Sequence, residues 1–304
     1  MDALSRPGDI ELEPLPDPAP GAAGFAPHSV HLPAGDLPPL VFASPHAGRQ
    51  VPQDMQACAA PMRLRRLEDA LVDRLIAHAP ALGAPLVVSH VARSYIDLNR
   101  DPLELDPGMF SDPLPDSARG GTARVAAGLG VIPRLADGVE IYRRKLTFAE
   151  AQRRVQAVHA PYHQAIRDLL DQALARHGGV LLVDWHSMPA SAAAQGAERG
   201  RRAPDVVLGD RRGLACRPGL IDLAHRLLTE MGLGVGRNNP YAGGYTTQHY
   251  GRPETGVQAL QIEINRGLYL NEQTLAPSEG FDRLQRALDQ FTLRLVAAAP
   301  GLIT

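Results

Sequence analysis

Polar, ionisable side chains stand where three apolar runs stop. Ser44-Pro-His46-Ala-Gly follows Leu-Val-Phe-Ala, Asp184-Trp-His186-Ser follows Val-Leu-Leu-Val, and Glu263 interrupts Ala-Leu-Gln-Ile-Glu-Ile. Two imidazoles and a carboxylate are the groups of a catalytic metal site with an adjacent base. Neutral histidine suits a borderline ion such as Zn2+, and a glutamate beside it can move a proton. Glu263 is flanked by Ile262 and Ile264, where a buried carboxylate is costly without a cation, a partner or a proton. Asp184 precedes His186 by two residues, so on a strand the two share a face. The aspartate can orient a metal-bound imidazole, or it can be a surface-edge acid.

A catalytic zinc takes three protein ligands and keeps one position for water, so a third donor is required. A His-x-x-Glu pattern is absent, because Arg49 fills the third place after His46. The segment Leu67-Glu-Asp-Ala-Leu-Val-Asp73 offers Glu68, Asp69 and Asp73. On a helical wheel Glu68 lies closest to the apolar stripe while Asp69 and Asp73 point away, and spacing alone leaves all three open. A further cluster, Arg93-Ser-Tyr-Ile-Asp-Leu-Asn99-Arg100-Asp, offers an amide and planar guanidinium groups suited to a carboxylate. An ion pair of Arg100 with Asp97 or Asp101 is the alternative.

These residues meet only if their strands end at one edge. Apolar runs at 40–44, 85–89, 180–184, 206–209 and 257–264 predict strands, most of them buried on both faces. Helical periodicity covers 64–79, 148–176, 218–231 and 281–298. The alternation predicts a three-layer α/β/α sandwich with a mostly parallel or mixed central sheet. In such sheets ligands bind beyond the carboxyl ends of the strands.

Residues 1–38 are dense in proline and acid and predict an extended arm, which leaves 39–304 as a single catalytic domain. The segment 103–145 has loop chemistry throughout; a stretch this long is an active-site loop or lid, or is unstructured. Neither it nor Asn238-Asn-Pro-Tyr-Ala-Gly-Gly-Tyr has the spacing of a phosphate-cradling loop.

With 304 residues, 44% of them hydrophobic, the chain can bury a large core. A formal net charge of −2 gives no electrostatic basis for a nucleic-acid or membrane-surface partner. Lys145 is the only lysine, so the arginines reflect overall residue usage and each needs its own argument. Two cysteines, Cys58 and Cys216, exclude a disulfide scaffold and a four-cysteine zinc site. No apolar run reaches the roughly 20 residues that span a bilayer. The N-terminus lacks the basic-then-apolar layout of a signal peptide, so the expectation is a cytoplasmic protein.

Together the motifs resemble the N-formylglutamate amidohydrolases, a family related in fold to the zinc carboxypeptidases and aspartoacylases. The resemblance rests on Ser44-Pro-His-Ala-Gly48, Tyr95-Ile-Asp-Leu-Asn-Arg100, Pro161-Tyr-His163 and Asp184-Trp-His-Ser187. It continues through Gly243-Gly, Gln248-His-Tyr-Gly-Arg-Pro253 and Gln261-Ile-Glu263. It implies a zinc-carboxypeptidase-like fold and one Zn2+ held by His46, Asp69 and His186. It further implies Glu263 as general base and then acid, Arg93 at the developing oxyanion, and Asn99 and Arg100 at a substrate carboxylate. Tyr245, His249 and Arg252 belong to the late motif and are expected to contact substrate, with Arg252 as the second cation for N-formyl-L-glutamate.

The implied partner is a small anionic N-acyl amino acid, hydrolysed to formate and the free amino acid as in histidine catabolism. Two regions depart from the histidine-catabolic members, 103–140 and the Ile-Asn-Arg-Gly-Leu-Tyr after Glu263. They leave open another N-acyl amino acid or a peptide as substrate, or a protein that only binds a metal or ligand.

Overall fold

The computed structural model describes residues 26–197, 200 and 202–303. Its centre is a seven-stranded sheet of β1 (His28–His31), β2 (Leu40–Ser44), β3 (Leu86–Ser89), β4 (Val180–Met188), β5 (Val206–Gly209), β6 (Val235–Arg237) and β7 (Val257–Asn265). The strand order is β1-β3-β2-β4-β7-β5-β6. The four middle strands β3, β2, β4 and β7 run parallel, whereas β1 pairs antiparallel to β3 and β5 antiparallel to β7, with β6 parallel to β5. The sheet is therefore mixed around a parallel centre. β2 and β4 are buried along their whole length, as strands covered on both faces must be.

Around the sheet lie α1 (Pro61–Arg65), α2 (Val72–Leu75), α3 (Phe148–Arg154), α4 (Ala160–His177), α5 (Pro218–Glu230), α6 (Tyr245–Tyr250) and α7 (Phe281–Ala298). α5 and α7 cover one face. Leu227, Leu288 and Phe291 pack there with Leu181, Val183, Trp185, Leu260 and Ile262. α4 covers the other face through Tyr162, Ile166 and Leu169, against Val180, Leu182 and Ala259. Side chains alternate along a strand. Asp184 and His186 thus continue the face begun by Val180 and Leu182, and Glu263 continues that of Ala259. The polar residues emerge at the strand ends on the α4 side of a three-layer α/β/α sandwich.

Several elements differ from the sequence expectation. The helix expected over 64–79 is two short pieces, α1 and α2, because tertiary partners take the backbone groups between them. Arg266 donates to the carbonyls of Arg66 (3.4 Å) and Glu68 (2.7 Å), Tyr269 donates to that of Ala70 (3.0 Å), and Asp69 N donates to His46 O (2.9 Å). Leu71 takes a left-handed φ of 66° at the break. Residues 148–177 form one path, but α3 and α4 are joined through a π-helical turn, Val155–His159. The arm expected over 1–38 lies in part outside the described residues. Within them, β1 joins the sheet, so the ordered fold begins before residue 38.

The segment 103–145 carries only a short helix, Ala123–Ala126, a 3-10 turn and a two-residue hairpin. It is nevertheless stitched to the site. Asp97 N donates to Val131 O at 2.7 Å and Arg100 Nε donates to Leu129 O at 3.1 Å. No helix of the described residues is long and apolar enough to cross a membrane.

Candidate metal centre and active site

His46 sits on the turn after β2, His186 near the end of β4, and Asp69 in the break between α1 and α2. The first turn approaches the chain after β3 so closely that a Cβ on Gly48 would clash with the His90–Val91 backbone. Glycine is required at that place in Ser-Pro-His-Ala-Gly. His186 Nδ1 lies 3.2 Å from His46 Nδ1 and 3.0 Å from Asp69 Oδ2, and His46 Nδ1 lies 3.3 Å from the same oxygen. Each residue is about 99% or 97% buried, with relative exposures of 1% for His46 and Asp69 and 3% for His186. Among the described residues this is the cluster whose donor atoms can hold one metal ion.

The donor chemistry fits a dication. Donors at about 2.0–2.1 Å around a tetrahedral ion lie about 3.3 Å apart, close to the edges of this triangle. Both outer ring nitrogens are engaged, His46 Nε2 with Asp97 Oδ1 at 2.7 Å and His186 Nε2 with Asp184 Oδ2 at 2.8 Å. A carboxylate accepts, so each Nε2 carries the proton and each Nδ1 presents its lone pair inward. Burial would raise the Asp69 carboxyl, but His186 and His46, which donate to it from Nδ1 when their rings are protonated, hold it well below the usual carboxylate range. Burial likewise opposes charge on His186, yet Asp184 and then Asp69 hold its imidazolium well above the ordinary value. The local field draws positive charge to this point.

Asp97 anchors the segment after β3. Its Oδ1 also accepts from Asn99 N at 2.9 Å, and its Oδ2 accepts from Arg93 Nε at 2.9 Å. Against the cost of burial, Arg93, His46 and Arg100 hold its carboxyl well below the usual range. The Arg93 guanidinium is correspondingly raised, since Asp97 and Asp69 outweigh its desolvation.

Asn99 Oδ1 accepts from Thr246 N at 2.8 Å, which orients the amide. Its Nδ2 lies 3.1 Å from His186 Nε2 and donates to Gln261 Oε1 at 3.4 Å. A Cβ at Gly244 would collide with this amide, so glycine is needed there too. Arg100 donates from Nη1 to Asn99 O at 2.8 Å and stands 3.9 Å from Asp97 Oδ2. His159 Nε2 and His163 Nε2 donate to the carbonyls of Arg100 (3.0 Å) and Leu98 (2.8 Å), fixing this segment from the helical layer.

Glu263 is the register partner of His186 in the β4–β7 pair. Its Oε1 accepts from Gln261 Nε2 at 2.8 Å. Burial pushes its carboxyl up to about 7; His186 opposes the rise, Asp69 adds to it, and Arg93 and Arg266 oppose it. His46, Asp69, His186, Arg93, Asn99, Arg100 and Glu263 all open onto one cavity of about 440 Å³.

Tyr245, His249 and Arg252, expected to contact substrate, do not line that cavity. They line an adjoining cavity of about 490 Å³ with Asp101, Glu104 and Arg119. The reason is the course of α6, which starts beside Asn99 and buries Thr246, Thr247 and Tyr250. Tyr245 stacks on His249, with centroids 4.9 Å apart and planes at 21°. Arg252 Nη1 donates to the carbonyls of Gln248 and Gly251, both at 2.7 Å, and so caps the end of α6.

Two residues of the site escape the sequence reading. Arg266 donates to Asp69 Oδ1 (3.0 Å) and Ser187 Oγ (3.1 Å); its signal was a cation at the very end of the strand that carries Glu263. Arg124, from the short helix Ala123–Ala126, lines both cavities, and nothing in its local sequence marks it.

Residues 38–270 match the N-formylglutamate amidohydrolase family. An N-formylglutamate deformylase of Pseudomonas aeruginosa is 31% identical over 243 residues, 77% of this chain and 83% of that protein. One of Pseudomonas putida is 28% identical over 240 residues, 77% of this chain and 82% of that protein. The crystal structure of an N-formylglutamate amidohydrolase from Ralstonia eutropha JMP134 superposes with a TM-score of 0.86 at 41% identity, covering 90% of this chain and 98% of that one. Matched along most of its length in both sequence and structure, the chain belongs to the N-formylglutamate amidohydrolase family.

Proposed function

We propose that the protein is a zinc-dependent amidohydrolase that hydrolyses N-formyl-L-glutamate to formate and glutamate, or a close N-acyl amino acid to the corresponding acid and the free amino acid. The observation that carries this reading is the triangle of His46, Asp69 and His186 donors with Glu263 in register beside it. When bound, a zinc ion lowers the pKa of a water molecule toward 7 and polarises a carbonyl oxygen.

The chain's own residues do the rest. Glu263 accepts the proton of the attacking water and returns it to the amide nitrogen as the C–N bond breaks, so that amide plus water becomes formate plus amine. Burial raises this carboxyl, which favours its holding the proton between the two halves of that cycle. Arg93, fixed by Asp97 through Nε, presents the rest of its guanidinium to the oxyanion that develops on the formyl oxygen. Arg100 takes the substrate α-carboxylate with the donors not committed to Asn99 O and Leu129 O. Asn99 orients this corner of the cavity. Asp97 and Asp184 keep both imidazoles in the tautomer that turns Nδ1 inward.

The test is release of formate from N-formyl amino acids, and of acetate from their N-acetyl counterparts, by the zinc-loaded protein, with one free amino acid formed per acid released. His46→Ala/His186→Ala should lose both the metal and the release. A metal-loaded protein that hydrolyses none of these amides would overturn the reading.

A further inference from the structure

Five arginines, Arg66, Arg93, Arg100, Arg124 and Arg266, face the cavity that holds the metal-binding residues. Four are committed within the protein. Arg66 pairs with Asp137 at 2.6 Å, Arg93 with Asp97 at 2.9 Å and Arg266 with Asp69 at 3.0 Å. Arg100 donates to two carbonyls. Arg124 alone among them has neither a hydrogen bond nor an ion pair with any described residue. It is solvent-exposed and stands where the two cavities adjoin. A guanidinium left unpaired in a pocket already crowded with like charge calls for an anion.

Its place is held firmly. The helix that carries it is capped by the Thr122 side chain, which accepts from Val125 N at 3.1 Å and donates to Glu104 at 2.6 Å. Val125 is buried, and Leu129 O receives Arg100 Nε. Arg100 is the inner cation, one residue removed from His46 through Asp97, whereas no bond ties Arg124 to the metal-binding residues. A formyl amino acid has its α-carboxylate three bonds from the formyl carbon, and the carboxylate of a glutamate side chain two bonds further out.

Resting on the deformylase reading, we infer that Arg124 is the specificity-determining residue that receives the side-chain carboxylate of an acidic N-formyl amino acid. Arg252, capping α6 in the adjoining cavity, does not have this role. The charge of Arg124 is also among those, after burial and Arg93, that depress the Arg100 guanidinium below its ordinary value. A dicarboxylate bridging the pair relieves that repulsion.

The test compares kcat/KM for N-formyl-L-glutamate and N-formyl-L-glutamine in wild type, Arg124→Gln and Arg124→Lys. Calorimetric binding of L-glutamate against L-glutamine is the readout that needs no turnover. Wild type should favour the acid about 10- to 100-fold, as one charge-assisted pair provides. In Arg124→Gln that ratio should collapse toward one, mainly through KM, and Arg124→Lys should restore part of it, since the charge returns without the planar fork. An acid-over-amide ratio that Arg124→Gln leaves intact, in turnover or in binding, overturns the assignment, as does a wild type indifferent to the two. A wild type that prefers L-glutamate through Arg124 yet hydrolyses no N-formyl amide instead refutes the deformylase reading alone.

Discussion

Asp69 is tied to His46 twice: its backbone N–H donates to the His46 carbonyl at 2.9 Å, and its Oδ2 lies 3.3 Å from His46 Nδ1. The acid's position is therefore set by a backbone bond between two turns and not by the face of a helix. Asp73, by contrast, lies on α2 and pairs with Arg49 at 2.9 Å.

Asp69→Asn should weaken zinc affinity by more than about 100-fold, since it removes a donor atom. Asp97→Asn, which keeps all three donors and weakens the partners of His46, Arg93 and Asn99, should cost about 10- to 100-fold. Asp73→Asn should leave affinity near wild type. Competition with a chromophoric chelator measures all three, and equal losses for Asp69→Asn and Asp73→Asn would remove Asp69 from the ligand set.

The metal triad shows what the chain makes legible and what it does not. His46 and His186 stand out because each ends an apolar run, and strand ends in a parallel-centred sheet converge on one edge. Asp69 does not stand out. A helical wheel places Glu68 nearer the core, but there is no continuous helix to apply it to, because Arg266, Tyr269 and His46 take the backbone groups from Arg66 to Ala70. Only the family resemblance separated the three acids. The place of Arg252 in the adjoining cavity is illegible for a related reason: closeness in sequence to a glycine-rich motif says nothing about which way α6 runs. α5 and α7, which bury a regular stripe against one sheet face, lie within a residue of their expected bounds.

Glu263→Gln preserves the shape of the side chain and removes its capacity to accept a proton. Zinc content should remain that of wild type, while kcat for N-formyl-L-glutamate falls by roughly 10²- to 10⁴-fold. Turnover within a factor of three of wild type in the zinc-loaded variant would exclude Glu263 as the base.

Glu150 fastens the end of the 103–145 segment to α3. Its carboxylate receives Arg144 Nη2 at 2.5 Å, Arg144 Nη1 at 3.0 Å and Thr147 N at 2.8 Å, closing a capping box with Thr147. The Arg144 hydrogen bonds above all, then the Thr147 amide, lower its carboxyl to about 2. A value depressed in the folded state stabilises above the ordinary carboxylate value, and the contribution is lost as pH falls from about 4.5 toward 2. The Tm difference between wild type and Glu150→Gln should therefore be largest near pH 7 and shrink below pH 4. A gap that holds constant down to pH 3 would assign the stabilisation to something other than this charge.

The sequence places Arg100 at the substrate α-carboxylate and Arg252 as a second cation, and their bonding separates them. Arg252 places its guanidinium on the carbonyls of Gln248 and Gly251 in the adjoining cavity. Arg100 fixes the rim through Leu129 O and Asn99 O while facing His46, Asp69 and His186. Arg100→Lys should act twice. Loss of the two carbonyl bonds should lower Tm, and loss of the planar fork should lower the preference for an N-formyl amino acid over its α-amide by one to two decades, the equivalent of about 1.5–3 kcal/mol. Arg252→Ala should lower Tm modestly, by uncapping α6, and leave that preference unchanged. Both variants are assayed on the same acid and amide pair, alongside thermal unfolding. If Arg100→Lys loses stability but keeps the preference, Arg100 is only a strut for the 129–131 turn, and the α-carboxylate is held elsewhere along the arginine-lined wall.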